Sequence, residues 1–93
     1  MYIEAKLVKR IKVYRETETD MVRILELVFK WRNKNILAVC KYPLAFEILS
    51  AKVGDKLGVF LTARTEIYKS ELSGEYEPFV ENYVEEVSLS LNK

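Results

Sequence analysis

The 93-residue chain has no histidine and no glutamine, and contains one cysteine, three glycines and two prolines. Each shortage closes off some chemistry. Without histidine, the usual general base, the usual transition-metal ligand and every Ser-His or Cys-His constellation are missing. A lone cysteine, Cys40, allows neither an internal disulfide nor a cysteine metal cluster. On a predicted strand it reads as a small buried hydrophobe rather than a nucleophile. Isolated glycines build no phosphate-cradling loop. No run reaches the ~20 apolar residues needed to span a bilayer. The first ten residues, "MYIEAKLVKR", are studded with charge and hold no apolar stretch of signal-peptide length. The expectation is a soluble, cytoplasmic protein with no membrane partner, no enzyme activity, no metal and no cofactor.

About half of the residues are apolar or aromatic (49%), enough to bury a core, so a single domain over 1–93 is expected. A domain this small buries a modest share of its surface, which makes self-association a plausible source of stability. The formal charge of +1 gives no global positive field, so any polyanion must be held by charge concentrated on one face. Abundant Lys, Glu, Ile and Val without Gln is a bias found in heat-adapted proteins.

Periodicity lays out the elements. "YIEAKLVKRIKVYRE" alternates through Ile3, Ala5 and Leu7, then changes phase to Val8, Ile11 and Val13, which predicts a bulge or bend in a first strand. "TETD" is a polar turn and "MVRILELVFKWR" a second strand, with Leu25, Leu27 and Phe29 in phase. "NKN" suits a tight hairpin turn because Asn tolerates positive φ, and "ILAVCKY" is a third strand. "PLAFEILSAKVGD" predicts a helix of two to three turns, with Pro43 at its first position, Leu44, Ile48 and Ala51 on one stripe and Gly54 at the exit. A fourth strand follows, then a polar loop around Gly74. The fifth strand, "PFVENYVEEVSLSL", has Val80, Val84, Val87, Leu89 and Leu91 as its apolar positions. Three strands, a helix and two more strands is the order of a five-stranded OB-fold barrel, all-β with one short helix between strands 3 and 4. A small SH3-like barrel is the competitor, although the embedded helix is less expected there.

The stretch "GDKLGVFLTARTEIY" splits by alternate residues. Leu57, Val59, Leu61, Ala63, Thr65 and Ile67 form a greasy row suited to a core. Lys56, Phe60, Thr62, Arg64, Glu66 and Tyr68 form a wet row. Nearby strands and loops add Lys30, Trp31, Arg32, Lys34, Lys41, Tyr42, Lys69 and Tyr76. Rings interleaved with cations are what a single-stranded nucleic acid needs, because every base has a face to stack and every phosphate a charge to neutralise. The candidate nucleic-acid-binding set is therefore Trp31, Arg32, Lys34, Lys41, Tyr42, Lys56, Phe60, Arg64, Tyr68, Lys69 and Tyr76. Aromatics also cover pleated sheets well, so Trp31 divides evenly between core and platform and Phe29 leans to the core. Glu66 interrupts the basic row. Glu75, Glu77, Glu81, Glu85 and Glu86 read as a solvated face, since a paired-carboxylate site needs two carboxyls held across a cleft.

From Ile36 onward the chain resembles the bacterial-type single-stranded DNA-binding proteins. The resemblance lies in "ILAVCKYPLAFEILSAKVGDKLGVFLTARTEIY" and "FVENYVEEVSL". These match that family's hydrophobic third strand, helix with "LA", "KGD"-like turn, "RT" strand and closing acidic pair before "V-x-L". It implies an OB-fold that coats single-stranded DNA in replication, recombination or repair, with RNA also admitted. By the same resemblance, Arg64 takes the place of a strand-four arginine and Tyr68 that of a base-stacking tryptophan. Lys41 and Asn35 stand where the family has aromatics, with Tyr42 and Trp31 as adjacent substitutes. The chain looks like a minimal member without an acidic tail, similar in size to primosomal replication protein B. A homodimer or homotetramer, nucleoid-associated or in a virus- or plasmid-bearing host, would follow. The other reading is an OB-fold protein-interaction subunit of a nucleic-acid-processing complex, whose aromatic row is a protein interface.

Overall fold

The computed structural model describes residues 1–89. Five strands, β1 (Tyr2–Glu16), β2 (Met21–Trp31), β3 (Lys34–Lys41), β4 (Lys56–Lys69) and β5 (Tyr76–Ser88), close into a barrel in the order β1-β2-β3-β5-β4. One helix, α1 (Ala45–Leu49), lies between β3 and β4. All neighbouring strands are antiparallel except β3 and β5, which run parallel and pair at Val39↔Tyr83. This closed five-stranded barrel, with its helix between the third and fourth strands, is consistent with an OB-fold.

β1 carries the construction. Its first half pairs with β4 and its second with β2, and the register slips between Leu7 and Lys9. The slip falls where the sequence changes phase, with Val8 as the extra residue. Ile3, Ala5 and Leu7 point inward with Leu25, Leu27, Phe29, Ala38, Cys40, Leu57, Val59, Leu61 and Val84, forming the main core. Cys40 is fully buried in it, and burial, with added repulsion from Glu47 and Glu85, pushes its thiol up to about 12. The β2–β3 turn is tighter than "NKN" implies. Arg32 and Asn33 both take positive φ, as a two-residue type I′ turn requires, and Lys34 already belongs to β3.

The helix is shorter than its sequence predicts, because only Ala45–Leu49 is helical and the flanks close as three-residue turns. Phe46 N–H donates to Pro43 O and Ala51 N–H to Ile48 O. Pro43 follows a cis peptide bond and precedes the cap residue Leu44, so it does not occupy the first helical position. Ala45, Ile48 and Ala51 plug one end of the barrel. Arg10 donates to the carbonyls of Ile48 and Ala51. Gly54, at φ 102°, returns the chain to β1, its N–H donating to Leu7 O while Leu7 N–H donates to Asp55 O.

β4 departs from its predicted greasy row. Leu57, Val59 and Leu61 are buried, but Ala63, Thr65 and Ile67 are exposed. β5 carries an extra residue, Glu85, opposite Phe60 and Leu61, and beyond that bulge the β4–β5 pair runs past the end of the barrel. The row that lined the core has nothing left to pack against, and on the opposite row Glu66 is half-buried and Tyr68 buried. Tyr68 is therefore 2% exposed and Tyr83 1%, while Val80, expected inside, is 74% exposed. Leu91 lies outside the described residues.

Candidate nucleic-acid interface

Cross-strand partners share a face of a sheet, so the register arranges the barrel's outer surface into rows. One row reads Lys56, Lys6, Lys30 and Asn35 across β4, β1, β2 and β3. The next rows along β1–β2–β3 read Lys9, Val28, Leu37, then Ile11, Glu26, Val39, then Val13, Ile24, Lys41. In the other direction along β4–β1 come Gly58 with Glu4 and Phe60 with Tyr2. The surface thus runs from an aromatic pair, through a ladder of three lysines and an aliphatic band, to a second apolar cluster.

That last cluster is built of Ile24, Val39, Tyr68 and Tyr83, with Val13, Val22 and Phe79 packed against it. The hydroxyls of Tyr68 and Tyr83 hydrogen-bond at 2.9 Å, and Tyr68 meets Phe79 edge-on at 5.8 Å. Burial, reinforced by the bond to Tyr68, raises the Tyr83 phenol above its ordinary value. Arg15 crosses over this cluster. Its guanidinium lies 4.9 Å from the Tyr68 ring centre and donates to Glu81 at 2.5 and 2.9 Å and to Glu26 at 3.0 Å. Burial alone would lower its pKa, but the hydrogen bonds and charges of the two carboxylates together outweigh that and hold the guanidinium charged.

The cations predicted on this side are already matched. Lys41 donates to Glu66, and Arg64 to Glu66 and Glu85, each pair within 3.0 Å. Both cations also lie over the Tyr83 ring. Glu66, the unexplained acid in the basic row, is the shared acceptor. Lys69 pairs with Glu16, which also accepts from Tyr76, and this tethers the start of β5 to the end of β1. Glu81 is thus a partly covered acceptor rather than a member of a solvated face, while Glu85 stays exposed although it accepts from Arg64. Buried Tyr68 offers no ring face to a ligand, which corrects the stacking role expected of it. The sequence pattern does not reveal this because it cannot say where β4 leaves the barrel.

The remaining predicted residues lie elsewhere. Trp31 is half-buried beside the core, with Arg32 4.5 Å above its ring, and Lys34 sits opposite across the hairpin. Tyr42 packs edge-on to Phe46 under Arg23 at the helix end. Phe60 is on the outer surface opposite Tyr2, and Lys56 heads the lysine row. Sequence reasoning missed Lys6, Lys9 and Tyr2, because β1 looked like a core strand and only its pairing with both β2 and β4 puts Lys6 between two lysines.

Like charges directly opposite on adjacent strands destabilise a sheet, by a few tenths to about 1 kcal/mol per pair. Lys6 faces lysine on both sides. Among the described residues, ion pairs involve Arg15, Lys41, Arg64 and Lys69, and none involves Lys6, Lys9, Lys30 or Lys34. In comparison with known proteins, no family model, no curated protein and no solved structure matches the chain.

Proposed function

We propose that the protein is a non-catalytic single-stranded nucleic-acid-binding protein whose phosphate-contacting surface is the Lys56–Lys6–Lys30 row. The observation that carries this reading is the ladder itself. Lys6 and Lys30 stand opposite each other with no ion pair among the described residues, a repulsion that a polyanion would relieve. Lys9 and the hairpin cations Arg32 and Lys34 extend the positive surface toward β3. Phe60 and Tyr2 lie on the same face, four residues along the strands from the ladder, about 13 Å at the rise of a β-strand. There they are available as base-stacking rings, with Glu4 lying between them and the ladder and Glu86 beside Phe60. The resemblance of the Ile36-onward segment to single-stranded DNA-binding proteins supports the same class of ligand. It does so with a different set of residues from those the resemblance implies.

The test is a fluorescence-anisotropy titration of labelled oligo-dT at several salt concentrations, on the parent chain and on Lys6→Glu, Lys30→Glu and Tyr68→Phe. Binding is expected to weaken with salt, because neutralised phosphates release counterions. It is expected to fall about tenfold for either lysine reversal, and to be unaffected by Tyr68→Phe. Equal affinity of the parent and both lysine variants would sink the reading.

A further inference from the structure

The aliphatic band beside the lysine row is the floor of a groove of about 490 Å³, lined by Lys9, Ile11, Val28, Leu37, Val80 and Asn82 among others. Among the described residues no aromatic ring lines it, so they offer bases nothing to stack on. Leu37 and Val80, 69% and 74% exposed, both line it. Its walls are strand edges. Val39↔Tyr83 joins β3 to β5, but among the described residues Lys34–Ala38 pair only with β2 and Tyr76–Asn82 only with β4. Across this opening the Asn82 amide donates to the Leu37 carbonyl at 3.1 Å. Unpaired strand edges accept an added strand through main-chain hydrogen bonds, while pockets for alternate side chains set the choice of partner.

We propose that this groove docks an extended peptide segment of a partner protein, aliphatic at alternate positions and acidic at the end that reaches the lysine row. Charge complementarity fixes the occupant. At the closed end Arg15 is neutralised by Glu26 and Glu81, so the groove there has no cation to offer. At the open end lie Lys9 and, one row on, Lys30 and Lys6. A neutral strand would leave those lysines unanswered, and a basic one would be repelled. The acidic end of the peptide and a nucleic acid would then compete for the same lysines. This inference goes beyond the nucleic-acid reading and does not rest on it.

The experiment uses the full chain and a fluorescein-labelled synthetic peptide in which an acidic run precedes alternating valine and serine. The controls are the same peptide with a lysine run and the acidic run alone. The acidic-aliphatic peptide is expected to bind with micromolar affinity and both controls much more weakly. A Leu37→Lys/Val80→Lys double variant should lose about tenfold or more in peptide affinity while keeping its affinity for oligo-dT. Lys30→Glu should weaken both ligands. Circular dichroism melts confirm that each variant is folded, which is expected because Leu37 and Val80 are exposed. Four results overturn the proposal. The first is either control, the lysine-tipped peptide or the acidic run alone, binding as well as the probe, and the second is peptide affinity unchanged in the double variant. The third is oligo-dT binding lost in the double variant with no peptide binding, which assigns the groove to nucleic acid. The fourth is a dimer abolished by the double variant, again with no peptide binding, which assigns it to a second copy. Loss of oligo-dT binding to the parent chain would remove the function proposed above and leave the peptide result to be judged separately.

Discussion

The two ends of the barrel's outer face hold similar numbers of cations and treat them in opposite ways. Around Tyr68 and Tyr83, Arg15, Lys41 and Arg64 are each matched by carboxylates and laid over aromatic rings. Around Lys6, the lysines stand opposite one another. The first arrangement satisfies its charges internally and so adds to folding. The second gives Lys6 and Lys30 no ion pair among the described residues. The difference teaches that a count of basic residues on a face says little about binding until the carboxylates each one meets are known.

The largest expected effect comes from breaking the satisfied end. Arg15→Ala leaves Glu81 and Glu26 beside an apolar cluster without their cation, and the Arg15 side chain is only 13% exposed. Loss of one partner of a largely buried pair costs about 3 kcal/mol. In a domain of this size that lowers the melting temperature by roughly 12 °C or more, and oligo-dT binding by the protein below its melting point should be unchanged. A fall of only a degree or two would show that the cluster does not depend on its cation.

Next is Tyr83→Phe, which removes one hydroxyl and leaves that of Tyr68 buried and unpaired, at a cost of about 1–2 kcal/mol in a denaturant melt. The same residue has a pH dependence. Its folded-state pKa is raised by burial above the free phenol's 10.0. Its stabilising contribution is therefore intact below that pH and is lost as pH rises above it. Thermal melts of Tyr83→Phe should decline less steeply above pH 10 than those of the parent, and parallel curves would refute the assignment.

Lys6→Glu sharpens the contrast because its two effects have opposite signs. It replaces two repulsive cross-strand pairs by attractive ones, so stability should rise by up to about 1 kcal/mol, while oligo-dT affinity and its salt slope fall. A variant that loses both stability and affinity would mean the ladder is not repulsive in the folded protein. The smallest effect belongs to Glu66→Gln. Its partners are exposed, and pairs of that kind contribute little, so the melting temperature should scarcely move. Releasing Lys41 and Arg64 from Glu66 should raise oligo-dT affinity slightly, since Arg64 keeps Glu85.

Much of the barrel was legible in the residues. Ile3, Ala5 and Leu7, the phase change after Leu7, the in-phase Leu25, Leu27 and Phe29, and a positive-φ glycine at position 54 stand where local pattern puts them, although the helix that glycine was expected to close ends at Leu49. Each reflects a local rule, either period-two alternation or a backbone conformation that few residues adopt. The site was less legible. Lys56 and Phe60 face outward as expected, but the wet row of β4 divides. Its first part faces solvent, and its last part becomes the floor of a second cluster. Alternation gives the two faces of a strand without saying what, if anything, covers either of them.

The sequence by itself determined that this chain makes a small barrel of five strands interrupted by a helix, because strand period and turn chemistry are properties of neighbouring residues. Only the tertiary structure decided which cations meet carboxylates and which meet one another. Lys6 lies 24 residues from Lys30 and 50 from Lys56 in the chain, and strand register alone sets them side by side. Likewise, Tyr68 is covered because the β4–β5 pair outruns the barrel and packs its other face over β2 and β3. Coulomb and packing energies depend on distances in space, and those were fixed when the barrel closed.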